Sequence, residues 1–154
     1  MMYVPDFVAL YEIVPYIRNF PLDNETIRVA LKDYFEGGEL KAVIITKYGK
    51  ICDWNTTNVT NMARLFKDYI IFNEDISKWD TSKVTNMYRM FYRAENFNQI
   101  IGDWDTLKVT NAFEMLVGAT SFNVKNVSCS LLKIILGIHY ESDSDSDDYD
   151  SDDE

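Results

Sequence analysis

Few residues of this chain have the types and spacing that catalysis requires. The single histidine, His139, could activate a cysteine, and the nearer cysteine, Cys129, lies ten residues before it. Such a pair works only when the two side chains are within hydrogen-bond reach of each other. Asp80 and Asp105 could act as a general acid and base, but they occupy the same place in a repeated turn motif. We therefore predict that the protein is not an enzyme.

The acidic C-terminal segment is the one candidate for a metal site. Asp143, Asp145, Asp147 and Glu154 match positions 1, 3, 5 and 12 of an EF-hand loop. Position 6 is Asp148, where the sharp turn of that loop needs glycine, and no exiting helix follows. The chain also has no glycine motif that would cradle a phosphate group. We therefore expect no catalytic residues, no metal and no cofactor.

The charge of the chain is concentrated at its C-terminus. The 154 residues suit a single domain and carry a net charge of −10. Residues 141–154 hold nine of the 25 acidic residues and no Lys or Arg, which leaves 16 acidic and 15 basic residues elsewhere. This distribution lacks the basic footprint of a nucleic-acid-binding protein. We expect residues 141–154 to be a disordered acidic tail that keeps the protein soluble or engages a basic partner.

Three serines of this tail are candidate phosphorylation sites. Ser142, Ser144 and Ser151 each have an acidic residue three positions later, which is the pattern that acid-directed kinases favour. Phosphate groups would add further negative charge to the segment.

The elements that position the rest of the chain come from a 25-residue repeat. Trp54, Trp79 and Trp104 are spaced by 25 residues. Six further columns keep the same spacing: Ile51, Ile76 and Ile101; Val59, Val84 and Val109; Asn61, Asn86 and Asn111; Phe66, Phe91 and Leu116; Phe72, Phe97 and Phe122; Asn73, Asn98 and Asn123.

Each copy contains two different hydrophobic periods. Met87, Met90, Phe91 and Ala94 follow the spacing i, i+3, i+4, i+7, which predicts a helix of about two turns, and residues 83–85 predict a very short strand. A helix this short is not stable alone, so each copy must bury its apolar face against the next. We therefore predict an α/β repeat solenoid with one short strand and one short helix per repeat.

The regular spacing also predicts columns of like residues inside the stack. Phe97 should lie between Phe72 and Phe122, and the tryptophans should be aligned. Asn86 and Asn98 should belong to ladders that satisfy the amides of the turns, because buried backbone groups need partners.

The middle copy, WDTSKVTNMYRMFYRAENFN from Trp79, resembles the BspA-like, leucine-rich-repeat-type family. Its members carry 25-residue repeats of the form W-D-T-S-x-V-T-N-M-x-x-M-F in mycoplasma and other bacterial surface proteins, in protists and in large DNA viruses. The resemblance covers about residues 51–123. It implies a leucine-rich-repeat-like solenoid and a role in binding other macromolecules.

The remaining segments are predicted to close the ends of the repeats. Ile27, Ala30, Leu31 and Tyr34 form one face of a helix, and the apolar segment 128–138 is interpreted as a closing helix, with insertion into a membrane or a partner as the alternative. The predicted organisation is 1–50, N-terminal helical cap; 51–126, three repeats; 127–140, C-terminal capping helix; 141–154, disordered acidic tail.

The predicted function is that of a non-enzymatic protein–protein interaction module. Tyr88, Tyr92 and Phe113 are aromatic at positions that should face water, and such residues often anchor interfaces. Lys83 and Lys108 are the candidate contacts on the strand side. Variable outward positions around the aromatic residues include Arg64, Arg89 and Glu114. The expected partner is a protein, basic if it binds the tail, and neither nucleic acid nor a membrane.

Two other functions remain open at the level of the sequence. One is a small structural or virion-associated component of a large DNA virus, which rests on the distribution of the similar family. The other is an F-box-like ubiquitin-ligase adaptor, which rests on a faint match in residues 4–17. The N-terminus lacks the pattern of a secretory signal, and no segment is long enough to span a membrane. We therefore expect an intracellular protein, located in the host cytoplasm or in a virion.

Overall fold

The computed structural model describes residues 20–138. In chain order it contains α1 (Thr26–Glu36), α2 (Gly38–Tyr48), a 3-10 turn (Ile51–Asp53), a second 3-10 turn (Val124–Asn126) and α3 (Cys129–Leu136). The F-box-like residues 4–17, His139, the EF-hand-like positions and the candidate phosphorylation sites Ser142, Ser144 and Ser151 lie outside the described residues.

Two helices precede the repeats. α1 buries one face, formed by Ile27, Ala30, Leu31 and Tyr34, and its first turn is tied down by Asp23, whose carboxylate accepts a hydrogen bond from the Thr26 amide at 2.8 Å. Gly37, with a φ of 84°, separates α1 from α2. Such a φ favours glycine, so the chain reverses there at little cost. α2 is helical along its whole length and buries Ile44.

The predicted α/β solenoid with a strand and a helix in each repeat is wrong. Residues 54–123 contain neither element: the predicted helices are runs of turns at 63–68, 88–93 and 113–118. Within the described part of the chain, the predicted strands are reduced to two isolated parallel bridges, which join Asn61 to Asn86 and Asn86 to Asn111. The predicted leucine-rich-repeat-like fold is wrong for the same reason, because it required a strand and a helix in each repeat.

Residues with left-handed φ angles distinguish each turn run from an α-helix. Each turn run contains two positions with positive φ, four residues apart, and an α-helix accommodates none. The φ angles lie between 53° and 80° at Arg64 and Asp68, at Arg89 and Arg93, and at Glu114 and Gly118.

The backbone amides of each turn run donate their hydrogen bonds in two alternating directions. Every second amide donates to a carbonyl of the following repeat, at 2.8–2.9 Å: Arg64 to Tyr88, Phe66 to Met90, and Asp68 to Tyr92. The amides between them donate to the third preceding residue, at 3.2 Å: Leu65 to Met62, Lys67 to Arg64, and Tyr69 to Phe66. A helix would consume all of these amides internally, so the turns gain backbone bonds between repeats that a helix could not make.

Aromatic columns fill the space inside the repeats. Phe97 lies between Phe72 and Phe122, as predicted, with ring centroids 5.7 and 5.6 Å away and nearly parallel planes. Trp54 and Trp79 stack at 6.1 Å. The Trp79 indole nitrogen donates to the Ile51 carbonyl at 2.8 Å, so the buried ring has a polar partner in the preceding repeat.

Polar ladders accompany the aromatic columns. The asparagine ladder predicted at Asn98 is confirmed, because the backbone amide of Asn98 donates to the Asn73 side chain at 2.8 Å and that of Asn123 donates to the Asn98 side chain at 2.9 Å. The Asn86 side chain instead accepts an amide of its own turn, that of Tyr88. A second ladder, which the sequence did not predict, is formed by buried threonines. The hydroxyl groups of Thr56 and Thr81 donate to carbonyls of the following repeat at 2.9 Å.

The two ends of the repeats are closed differently. At the first repeat, the Asn24 side chain accepts hydrogen bonds from the amides of Thr60 and Asn61, both at 2.9 Å, and Arg28 donates to the Asn61 carbonyl at 3.2 Å. These groups take the places that a preceding repeat would occupy. At the last repeat, α3 begins with Ser128 as its N-cap and buries Leu131.

Candidate interaction surface

The turn runs place two aromatic rings in register on the outside of the repeats. Tyr88 and Phe113 occupy the same position in consecutive repeats, and their rings stack at 6.4 Å with an angle of 4° between the planes. The backbone below each ring is held by an asparagine, because Asn86 accepts the Tyr88 amide at 2.9 Å and Asn111 accepts the Phe113 amide at 3.1 Å. The backbone that carries both rings is therefore held by the repeat itself.

Two arginines lie against the tyrosine rings of this surface. The Arg64 guanidinium lies 5.3 Å from the centroid of Tyr88, and that of Arg89 lies 5.0 Å from Tyr88 and 5.0 Å from Tyr92. These distances are within the range of cation–π attraction. We call the five residues Arg64, Tyr88, Arg89, Tyr92 and Phe113 the turn row.

The charges of the turn row are partly balanced by neighbouring carboxylates. Arg89 forms a salt bridge with Glu114 in the next repeat, and the hydrogen bond to Glu114 raises the pKa of Arg89. Arg93 lies 3.7 Å from Asp68 in the preceding repeat. Arg64 is in no salt bridge within residues 20–138, and it is exposed. The guanidinium group of Arg64 can therefore donate hydrogen bonds to an anionic group or a carbonyl oxygen of a partner.

The exposure of the turn row is graded along the repeats. Phe113 is 61% exposed, whereas Tyr88 and Tyr92 are half-buried. The rings of the middle repeat are thus held in place by their neighbours, while the ring of the last repeat presents most of its surface to water. An exposed aromatic group of this kind, rimmed by charge, is typical of an interface anchor.

The five predicted contact residues fall into two separate groups. Tyr88, Tyr92 and Phe113 belong to the turn row. Lys83 instead donates to the Asn58 side chain at 3.3 Å, and Lys108 is exposed one repeat further along that column. No contact joins either lysine to the three aromatic residues within the described part of the chain. The placement of Arg64 and Arg89 over the rings could not be derived from their types and spacing.

The residues considered for catalysis have structural partners. Asp80 accepts the Ser82 amide at 2.9 Å and Asp105 accepts the Leu107 amide at 3.0 Å, so each carboxylate closes its own turn. Hydrogen bonds from the Ser82 hydroxyl and amide lower the pKa of Asp80, which disfavours its protonated, acid form. Cys129, the cysteine considered as a nucleophile, is exposed at the first residue of α3. The other cysteine, Cys52, is half-buried, and burial raises the pKa of its thiol, which disfavours the nucleophilic thiolate.

Residues 20–138 contain no group of three or more His, Cys, Asp or Glu side chains that could hold a metal ion. None of the helices described for this part of the chain is both long and apolar enough to cross a membrane.

Comparison with known proteins identifies one family. The family model described as "Mycoplasma protein of unknown function, DUF285" matches residues 31–134. Comparison with curated proteins and with solved structures gives no significant match. The matched residues span the second half of α1, all of α2, all three repeats and most of α3.

Proposed function

The chain belongs to the DUF285 family, and we propose that its repeats form a non-enzymatic protein–protein interaction module that binds its partner through the turn row. The observation that carries the proposal is the stack of Tyr88 on Phe113 with arginines beside it. We also propose that the repeats belong to the BspA-like group, because of the sequence motif that begins at Trp79.

The side chains of the turn row are preorganised for binding. An interface loses affinity when binding has to immobilise flexible side chains, at about 0.5–1.5 kcal/mol for each one. The Tyr88 ring is already confined by Phe113 on one side and by two guanidinium groups, so little of that cost arises on binding. Aromatic rings and arginines are also the side chains that most often dominate binding energy.

The chemistry of the turn row indicates the kind of protein surface that it binds. Phe113 offers an open apolar face, and Arg64 offers guanidinium donors without a carboxylate partner in the described residues. The complementary surface would combine an apolar or aromatic side chain with a carboxylate or a cluster of carbonyl groups. Because Arg89 is already paired with Glu114, we expect Arg64 rather than Arg89 to supply the charged contact.

Proximity labelling in cells that naturally express the protein tests this proposal. The parent chain is compared with a Tyr88→Ser/Phe113→Ser double variant, and with Ile71→Ser as a matched control. Ile71 is 82% exposed and outside the turn row. Circular dichroism first establishes that all three chains are folded.

We expect the parent chain and Ile71→Ser to label the same partner proteins, and the double variant to lose them. A folded double variant that labels the same set as the parent would overturn the turn row as the contact surface. The addition of Arg64→Gln separates the charged contribution from the aromatic one, because it leaves the two rings unchanged.

A further inference from the structure

The ladder of hydrogen bonds between repeats ends in a row of unused donors. The second repeat donates to the third at 2.8–3.1 Å: Arg89 to Phe113, Phe91 to Met115, and Arg93 to Val117. The equivalent amides of the third repeat belong to Glu114, Leu116 and Gly118. None of these three has a hydrogen-bond acceptor within residues 20–138. We call them the amide row.

The amide row is accessible, and α3 does not satisfy it. Gly118 is exposed, and Glu114 and Leu116 are half-buried. α3 follows the last repeat and covers its apolar interior with Leu131, but none of its carbonyls accepts a hydrogen bond from the row. At this end of the repeats the apolar interior is therefore covered, whereas the amide row is free to bind hydrogen-bond acceptors.

The chemistry of the row selects its ligand. Three amides that alternate along the chain, with left-handed residues at Glu114 and Gly118, present donors and no acceptor on this edge. Backbone amides in such alternating conformations bind anions and carbonyl oxygens. Two amide rows cannot pair with each other, because both would donate. At the first repeat of another copy, the Asn61 carbonyl is already occupied by Arg28.

We propose that the amide row binds carboxylates of the acidic tail, residues 141–154, of the same chain. The described chain ends at Ile138, directly after the helix that closes this end of the repeats. The tail supplies nine carboxylates and no competing cation. When extended, residues 139–154 can span roughly 50 Å.

Charge favours an acidic ligand, and connectivity favours the tail over a separate one. Lys108 and Lys125, which belong to the last repeat and to the turn after it, are exposed and add positive charge to this end. A ligand on the same chain is present at an effective concentration of the order of millimolar. A contact that is weak between separate molecules is therefore populated within one chain.

Amide hydrogen exchange of the full-length protein, followed residue by residue, tests the proposal. The parent is compared with a full-length variant in which the nine acidic residues of 141–154 are replaced by serine. We expect exchange at Glu114, Leu116 and Gly118 to become about tenfold faster in this variant, while the bonded equivalents Arg89, Phe91 and Arg93 remain unchanged. Raising the salt concentration should have the same effect on the parent, because the contact is ionic.

A matched control removes acidic residues elsewhere. Replacing the exposed Glu25, Glu36 and Glu39, at the N-terminal helices, by serine changes the net charge but should leave the amide row protected. Equal exchange in the parent and in the tail variant overturns the proposal. So does protection that persists in the tail variant together with a dimer in sedimentation, because a second copy would then cover the row.

Discussion

Gly118 is the glycine at which a side chain would be most costly in the repeats. Its φ is 80°, and a Cβ built there would lie 3.0 Å from Arg93 Cγ and 3.1 Å from Arg93 Cα in the preceding repeat. The second of these atoms is backbone, so it cannot move without disturbing the ladder. Two separate effects, a strained φ and a close contact, therefore act at one position.

We predict that Gly118→Ala lowers the free energy of unfolding by about 2–3 kcal/mol. Gly137→Ala is the matched control, because Gly137 is left-handed, with a φ of 67°, and no atom lies within 4 Å of the position that its Cβ would take. The control should cost only the strain, about 1–2 kcal/mol. Urea unfolding of the two variants measures the difference, and equal losses would show that the contact with Arg93 contributes nothing.

The hydrogen bonds of the Asp80 carboxylate make the stability of its turn depend on pH. Hydrogen bonds from the Ser82 hydroxyl and amide lower the pKa of Asp80 from its ordinary 3.8. The stabilisation is therefore fully present above the unfolded-state pKa and is lost as the pH falls through the lower folded-state value. The first repeat carries Asn55 at this position, and its side chain accepts the Thr57 amide at 3.2 Å in the same way.

We predict that Asp80→Asn keeps the turn and reduces the loss of stability between pH 5 and pH 2, roughly the range over which a hydrogen-bonded aspartate titrates. Asp80→Ala should be less stable than Asp80→Asn at pH 7, because the Ser82 amide then loses its acceptor. Urea midpoints across this range provide the measurement. An unchanged pH profile in Asp80→Asn would rule out Asp80 as a titrating contributor.

At the scale of single residues, the sequence predicts which side chains share a column but not their backbone conformation. The spacing of Phe72, Phe97 and Phe122 is sufficient to place them in one stack. The left-handed φ at Arg64 and Arg89 is not predictable in this way, because arginine has no preference for that region. Among the left-handed positions of the repeats, only Gly118 in the third repeat is of a residue type that favours such a φ. The cation–π contacts of the turn row follow from that backbone, so they could not be derived either.

At the scale of elements, the spacing i, i+3, i+4, i+7 is compatible with more than a helix. Met62, Leu65 and Phe66 are buried in a run of turns just as they would be in a helix. What decides between the two is where the amides donate, and the hydrophobic pattern contains no information about that. A two-turn helix gains few internal bonds, whereas the turns bond to both neighbours. A short apolar run inside a tight repeat is therefore weak evidence for a helix.

Asn24 illustrates how an element outside the repeats completes them. Its carboxamide oxygen accepts two amides of the first repeat, and its nitrogen donates to the Thr60 hydroxyl at 2.9 Å. We predict that Asn24→Ala lowers the free energy of unfolding by about 1–3 kcal/mol, because two amides lose their acceptor. Asn24→Asp retains an acceptor oxygen and should cost less.

Amide exchange at Thr60 and Asn61 checks this assignment locally. Both amides should exchange faster in Asn24→Ala, whereas Met87 and Phe91, which donate to the third repeat, should be unaffected. Faster exchange that extends over all three repeats would instead mean that Asn24 stabilises the whole domain and not its first edge. No change at Thr60 and Asn61 would contradict the role of Asn24 as a substitute for a preceding repeat.

At the scale of the whole molecule, the repeats are joined by bonds that connect positions about 25 residues apart. The Thr81 hydroxyl donates to Asp105, the Asn98 amide to Asn73, and the Thr85 amide to Thr60. Each repeat is therefore stabilised by its immediate neighbours, and stability should grow with the number of repeats as long as the register is kept. The sequence predicts this dependence on register directly, since the 25-residue spacing holds in seven columns.

Lengthening the chain by one repeat tests that argument. A second copy of residues 76–100, inserted between Ile100 and Ile101, continues every column. We predict that this chain unfolds at a higher urea concentration and with a larger m-value than the parent, because more surface is buried. The matched control carries an insert that lacks the residue equivalent to Arg89, so that its columns slip by one residue and the turn loses a left-handed position. The control should be no more stable than the parent, and equal stabilisation by both inserts would show that register does not hold the repeats together.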